Sequence, residues 1–195
     1  MIILQDECES SMTEDLLGFG RLIRENHDFR RVWLSHMISL IGDWLSYIAV
    51  AVISIEQGEG ALAVAMVLVV HTLPTALISP IAGPLADRLD RRVLLLAGYL
   101  SAALLTLGMW GAADLGSVWL LQGVLFLRVC VSGVALTARS AAIPAIVGRA
   151  DLRLANALLG LTWSVMFTVG LALGGFASEF LSPRGAILLD SLTFV

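Results

Sequence analysis

Gly83-Pro84-Leu85-Ala86-Asp87-Arg88-Leu89-Asp90-Arg91-Arg92 is a charged segment set between two apolar stretches, and it is the most specific signal in the chain. Its residues have separate physical uses. Gly83 permits a tight exit from the helix before it, and Asp87 offers an anion to helix N-termini or to arginines. Arg88, Arg91 and Arg92 anchor positive charge at one membrane face. Together these residues read as a loop that gates a conformational change; a positively charged loop with no further role is the plainer alternative.

Outward from this segment the chain is largely apolar. Its 195 residues are 58% hydrophobic and 14% charged, with a mean hydropathy of +0.89. An ordinary soluble domain is about 45–50% apolar and about 25% charged. So much apolar surface does not fit inside one water-soluble core of this size, which excludes soluble globular, disordered and disulfide-scaffold classes. The expected surrounding is the lipid bilayer, and the expected fold is an all-α membrane bundle.

Five stretches are long enough for the roughly 20 residues that a bilayer crossing needs: 32–55, 62–82, 93–113, 118–138 and 155–178. A sixth, 185–195, reaches only about 16 Å at helical rise, about half the hydrocarbon core. The sequence is therefore expected to be the front part of something longer, or a truncated product. Residues 1–31 read as a cytoplasmic N-terminal segment with no apolar signal-peptide core, and 32–195 as the transmembrane bundle. Thr13-Glu14-Asp15-Leu16-Leu17 resembles a helix start, and Leu16, Phe19 and Ile23 recur near helical spacing. That pattern predicts a short helix lying on the inner membrane surface, with an unstructured tail as the alternative.

Arginine sets the orientation. There is no lysine, and Arg21, Arg24, Arg30, Arg31, Arg88, Arg91, Arg92, Arg139, Arg149 and Arg153 all fall on one side of the expected spans. The opposite loops carry Glu56, Glu59, Asp114, Glu179 and the lone Arg184. The positive-inside rule then places the N-terminus in the cytoplasm of a multi-pass protein of the cell membrane.

Sliding the chain against itself by 92 residues lays Gly83, Leu85, Ala86, Asp87, Leu89 and Arg92 on Gly175, Ala177, Ser178, Glu179, Leu181 and Arg184. One copy follows span 2 and the other follows span 5, on opposite sides of the membrane. A 3+3 inverted-topology repeat has this property. Chance likeness of two small-residue loops is the alternative.

The 83–92 segment resembles the signature loop of the major facilitator superfamily, in the place that family has it, with Asp90 where glycine is usual. Leu127-Arg128-Val129-Cys130-Val131-Ser132-Gly133 looks like a second motif of that family, an arginine with a glycine five residues on. Gly170-Leu171-Ala172-Leu173-Gly174-Gly175 resembles its antiporter motif, but Leu171 stands where the motif has proline. Helix packing through Gly133, Gly170, Gly174 and Gly175 and proton antiport are both open readings there. The resemblance covers nearly the whole chain and implies the N-terminal six-helix bundle of a major facilitator fold, its sixth helix truncated. The Asp-Arg-Leu-Asp-Arg-Arg form, Phe29-Arg30-Arg31 and Gly42-Asp43-Trp44 look most like the drug-efflux branch, with its macrolide and siderophore exporters.

Two ionisable residues fall deep inside spans. Asp43 and Arg128 each lie roughly 15 Å from a membrane edge by helical rise. Charge at that depth is costly, and it marks a substrate or proton pathway by default. Opposite signs at matching depth invite pairing, and the resemblance puts the first and fourth helices on one central cavity. Asp43 is then the candidate proton acceptor. A role in helix packing is the alternative for each residue.

His36 and His71 have no His, Cys or carboxylate at ligand spacing, so no metal is expected. Cys8 and Cys130 are too far apart in sequence to suggest a disulfide framework. Pro74 is expected to kink span 2. No phosphate loop, nucleophile elbow or zinc-protease motif occurs, so neither an enzyme nor a cofactor is expected. A net charge of −4 argues against nucleic acid. The expected function is secondary transport: export of a small amphipathic molecule or drug by alternating access, proton-coupled as in an antiporter. That requires a C-terminal half as partner. A facilitator or importer of another solute, or a non-transporting membrane fragment, are the alternatives.

Overall fold

The computed structural model describes residues 17–58 and 60–193, with the side chain of Asp87 also left out. Cys8 and the start signal at Thr13 to Leu16 lie outside the described residues. The described chain is helical nearly throughout. A short helix α1 covers 17–25, followed by α2 (His27–Glu56), α3 (Gly60–Arg88), α4 (Arg91–Asp114) and a 75-residue run α5 (Val118–Leu192). All four long helices are long and apolar enough to cross a membrane.

Two residues divide α5 into three arms, 118–147, 149–181 and 183–192. Gly148 adopts φ 72°, ψ 175°, and Ser182 adopts φ 69°, ψ 155°. The first conformation is essentially restricted to glycine. The second is a positive φ that a residue with a side chain rarely adopts, and it precedes Pro183, which suits the first position of a new helix. Ser182 Oγ accepts from Gly185 N at 3.3 Å, capping the third arm.

Packing inverts the soluble pattern. On α4 the exposed side chains include Val93, Leu96, Leu100, Leu104 and Leu107, at helical spacing, while the middle of the buried face, between Leu94 and Met109, carries Gly98, Ala102 and Thr106. Large apolar residues face outward and small ones face the neighbouring helix, as lipid solvation and close helix approach require. The main core joins α2, α3, α4 and α5 through Val50, Ile53, Val67, Met109, Leu121, Leu125 and Ile187.

Several sequence expectations are corrected. The 139–154 stretch, expected as a loop, is helical on both sides of Gly148, because Ile143, Val147, Ala155 and Leu158 pack against Leu22 and Phe29. The α1 helix exists, but its apolar face covers protein: Leu22 is buried, Phe19 and Ile23 pack on the same cluster, and Arg21 pairs with Asp151 at 2.9 Å. Asn26 caps α2 through Phe29 N and donates to Ile146 O, both at 2.9 Å. Gly83 is no exit: α3 runs through Pro74, Pro80, Gly83 and Pro84 as one helix to Arg88. The turn is set instead by Asp90, whose carboxylate accepts from Arg92 N at 2.7 Å and starts α4. That gives a physical use for an aspartate where the resembling loops have glycine.

Candidate functional site

Helical spacing puts His36, Ser39, Leu40 and Asp43 on one face of α2, and Arg128, Ser132, Leu136 and Arg139 on one face of the first arm of α5. The two faces enclose a cavity of about 370 Å³, closed laterally by His71 and Thr75 of α3, Tyr99 of α4 and Trp163 of the second arm. Trp44 stands at its wall in edge contact with Tyr47 and Phe167, at ring separations of 5.6 and 4.9 Å, and His71 lies 5.1 Å from the Trp44 ring.

At the inner end sits a three-charge cluster. Arg128 is 1% exposed. Its Nη2 lies 2.5 Å from Asp43 Oδ1 and 2.9 Å from Asp190 Oδ2, and its Nε donates to Thr106 Oγ1 at 3.1 Å. Asp190 also accepts from Ser46 Oγ and, at 3.3 Å, from Thr193 Oγ1. The two carboxylates differ in access: the Asp43 side chain is 26% exposed and lines the cavity, whereas Asp190 is wholly buried. With both carboxylates ionised the cluster carries one net negative charge, and with one proton bound it is neutral. Such a cluster is chemically able to hold and release a proton beside a cavity.

Asp190 is absent from the expectations above. The signal was available, an ionisable residue within an apolar stretch, of the kind that singled out Asp43. Its partners lie 62 and 144 positions away, so the pairing itself had no sequence signature.

The other expected site residues fall into two groups. Gly83 lies on an open face of α3, Asp87 in that helix's last turn, and Arg88, Arg91 and Arg92 are exposed around the turn into α4. Gly83, Arg88, Arg91 and Arg92 are not among the residues that line the cavity. The expected packing glycines are close-contact positions with one exception. A Cβ on Gly133 would meet Ile78 Cγ2 at 2.7 Å; on Gly170, three Trp44 atoms at 2.6–2.8 Å; on Gly174, Ile48 and Trp44 O at 2.9–3.0 Å. Gly175 has nothing within 4 Å. Among the described residues no three His, Cys, Asp or Glu side chains group as a metal site would need.

Residues 23–195 match the sequence profile of a family described as transmembrane secretion effector. Similar curated proteins include three uncharacterised MFS-type transporters of Bacillus subtilis (strain 168). YfiS is 26% identical over 174 residues, 89% of this chain and 41% of its own length. YkuC is 24% identical over 174 residues, 89% and 40%. YvqJ is 23% identical over 170 residues, 86% and 40%. The chain thus spans about two fifths of the length of these relatives. No solved structure matches it significantly.

Proposed function

The chain belongs to the transmembrane secretion effector family of major facilitator transporters, a family of multi-pass membrane transporters and not of enzymes, and on that premise we propose that it forms the N-terminal six-helix bundle of a proton-coupled exporter. In this reading residues 1–31 are cytoplasmic and 32–195 make up the bundle, with the third arm of α5 as the start of the sixth span. A C-terminal half supplies the second bundle for alternating access. The cargo is a small amphipathic solute held in the cavity. Asp43 carries the proton, Arg128 and Asp190 form its fixed counter-charges, and Gly83, Asp87, Arg88, Arg91 and Arg92 gate the cycle at the cytoplasmic rim.

One observation carries this reading: a fully buried arginine between two carboxylates, one of which faces a cavity inside a membrane-spanning bundle. A cluster of this kind in lipid is costly to build unless its charge state has a use. The inverted repeat also gains support. Asp90 and Ser182 stand 92 residues apart, the same offset as the sequence match, and each interrupts the helical run and caps the helix that follows it.

The test is transport by the full-length protein in proteoliposomes under an imposed proton gradient. Aromatic solute flux should follow the gradient and collapse with a protonophore. Flux indifferent to the gradient would make the protein a facilitator. In the same assay Asp87→Asn should cut flux several-fold while solute affinity stays nearly unchanged, because Asp87 falls in the last turn of α3, twelve residues beyond Thr75 of the cavity wall. Lost affinity with normal flux per bound solute contradicts a gating role.

Orientation is checked by cysteine labelling in a background lacking Cys8 and Cys130. Cysteines at the exposed Leu89 and Leu115 should react with a membrane-impermeant maleimide from the cytoplasmic and the external side respectively. Labelling of position 89 from outside would reverse the topology.

A further inference from the structure

The two ends of the cavity differ in how their charge is balanced. At the inner end Arg128 has two carboxylates. Eleven residues along the same helix, about 16 Å away, Arg139 also lines the cavity and is only 9% exposed, yet makes no hydrogen bond or ion pair among the described residues. Among the described side chains lining the cavity, no carboxylate stands beside it. α2 contributes His36, whose ring interacts electrostatically with Arg139, and Asp43, already engaged by Arg128. α3 contributes His71, α4 Tyr99, and the second arm of α5 Trp163. Arg139 therefore presents a guanidinium in the cavity wall with its hydrogen-bonding capacity unused.

The rest of the wall is also incomplete. Five buried side-chain polar atoms among the described residues have no hydrogen-bond partner, and three of them belong to cavity-lining residues: Trp44 Nε1, His71 Nδ1 and Ser132 Oγ. Around them lie Trp163, Tyr99, Val129 and Leu136, which offer aromatic and apolar surface. The volume suits a small organic molecule.

Resting on the transport reading above, we propose that the solute taken by this cavity is an amphipathic anion. Its carboxylate, sulfonate or phosphate group sits against Arg139, and its aromatic or apolar body lies along Trp44 and Trp163 toward Ser132 and His71. A cationic solute would meet Arg139 as a like charge at this end of the cavity. A soluble solute and a lipid headgroup share the anionic chemistry.

The experiment is a fluorescence titration of the full-length protein in lipid nanodiscs, with empty discs subtracted, using three probes. These are anilinonaphthalene sulfonate, its uncharged parent phenylnaphthylamine, and cationic ethidium. The sulfonate should bind about ten-fold or more tightly than its parent, as expected for one charge-assisted contact. Arg139→Gln should abolish that preference without weakening the parent, and Arg139→Lys should keep part of it. Repeating the titration with phosphatidylglycerol added to phosphatidylcholine discs separates the sources. Displacement of the sulfonate in the native protein but not in Arg139→Gln identifies a lipid headgroup, and an unchanged affinity identifies a soluble solute. A preference for ethidium, or a sulfonate affinity indifferent to Arg139→Gln, overturns the anion assignment while leaving proton-driven transport standing. Equal loss of both naphthalene probes in Arg139→Gln makes Arg139 a structural residue and overturns the proposal. Failure of all three probes to saturate removes the cavity as a solute site, and the transport reading with it.

Discussion

Gly170→Leu is expected to abolish most of the folded protein, whereas Gly175→Leu, five residues on in the same motif, should leave it intact. A Cβ at position 170 would stand 2.6 Å from Trp44 Cδ1, 2.7 Å from its Cβ and 2.8 Å from its Cγ, too close for any carbon pair. Trp44 is 6% exposed and held by edge contacts with Tyr47 and Phe167, which a shift into the cavity would break. Forcing even one methylene into such a core costs about 1–3 kcal/mol, and leucine adds more than one. The alternative is for α2 to pull away from the second arm of α5, which also opens the Gly174 contact with Ile48 and the Trp44 carbonyl. In a bilayer, packing of this kind is a principal force between helices. Gly175 faces open space, and leucine there gains helix propensity. Monodisperse yield and unfolding temperature in detergent give the comparison. Equal behaviour of the two variants would mean that α2 does not approach α5 as described.

The same pair of glycines shows what the sequence could and could not deliver. A run of small residues announces close packing by type, but the partner of each glycine depends on helix rotation, which Trp44 decides from more than a hundred residues away. The all-helical, membrane-spanning character was legible because lipid imposes length and hydropathy on each helix separately. The meeting of Asp43 and Arg128 was legible from residue counting, since helical rise is constant and equal counts bring the two to one level. Features that depend on a distant surface were not legible. The apolar stripe of α1 fits a membrane or a protein equally well, and only the fold brings Ile143, Val147 and Leu158 under it. Gly83 looked like a helix end because glycine often is one, yet the turn is placed by Asp90, whose carboxylate makes a better start for α4 than glycine makes an end for α3. Asp190 stands in a stretch that reaches only half the hydrocarbon core, although two helical turns suffice to bring its carboxylate to Arg128.

That third charge changes what neutralisation should do. Viewed from sequence, Asp43 and Arg128 were a pair, and removing both should have been better than removing either. With Asp190 present, the double change Asp43→Asn with Arg128→Gln still strands a fully buried carboxylate. Arg128→Gln is therefore expected to be the most damaging single change, since it leaves two carboxylates facing each other, and breaking a buried pair this way costs about 3–5 kcal/mol. Rescue should come from Asp190→Asn and not from Asp43→Asn, with a coupling of about 0.5–3 kcal/mol in a double-mutant cycle of folded yield. Asp43→Asn alone leaves Arg128 and Asp190 as a balanced pair, so the protein should fold. It removes the carboxylate that water in the cavity can reach, so gradient-driven flux should be lost while binding of an uncharged probe persists. Asp190→Asn should fold as well and retain gradient dependence, because Asp43 keeps its place beside Arg128 on the cavity wall. If gradient dependence survives Asp43→Asn and disappears with Asp190→Asn, the proton resides on the buried carboxylate, and access to it must open through movement of the third arm of α5 away from Ser46 and Arg128.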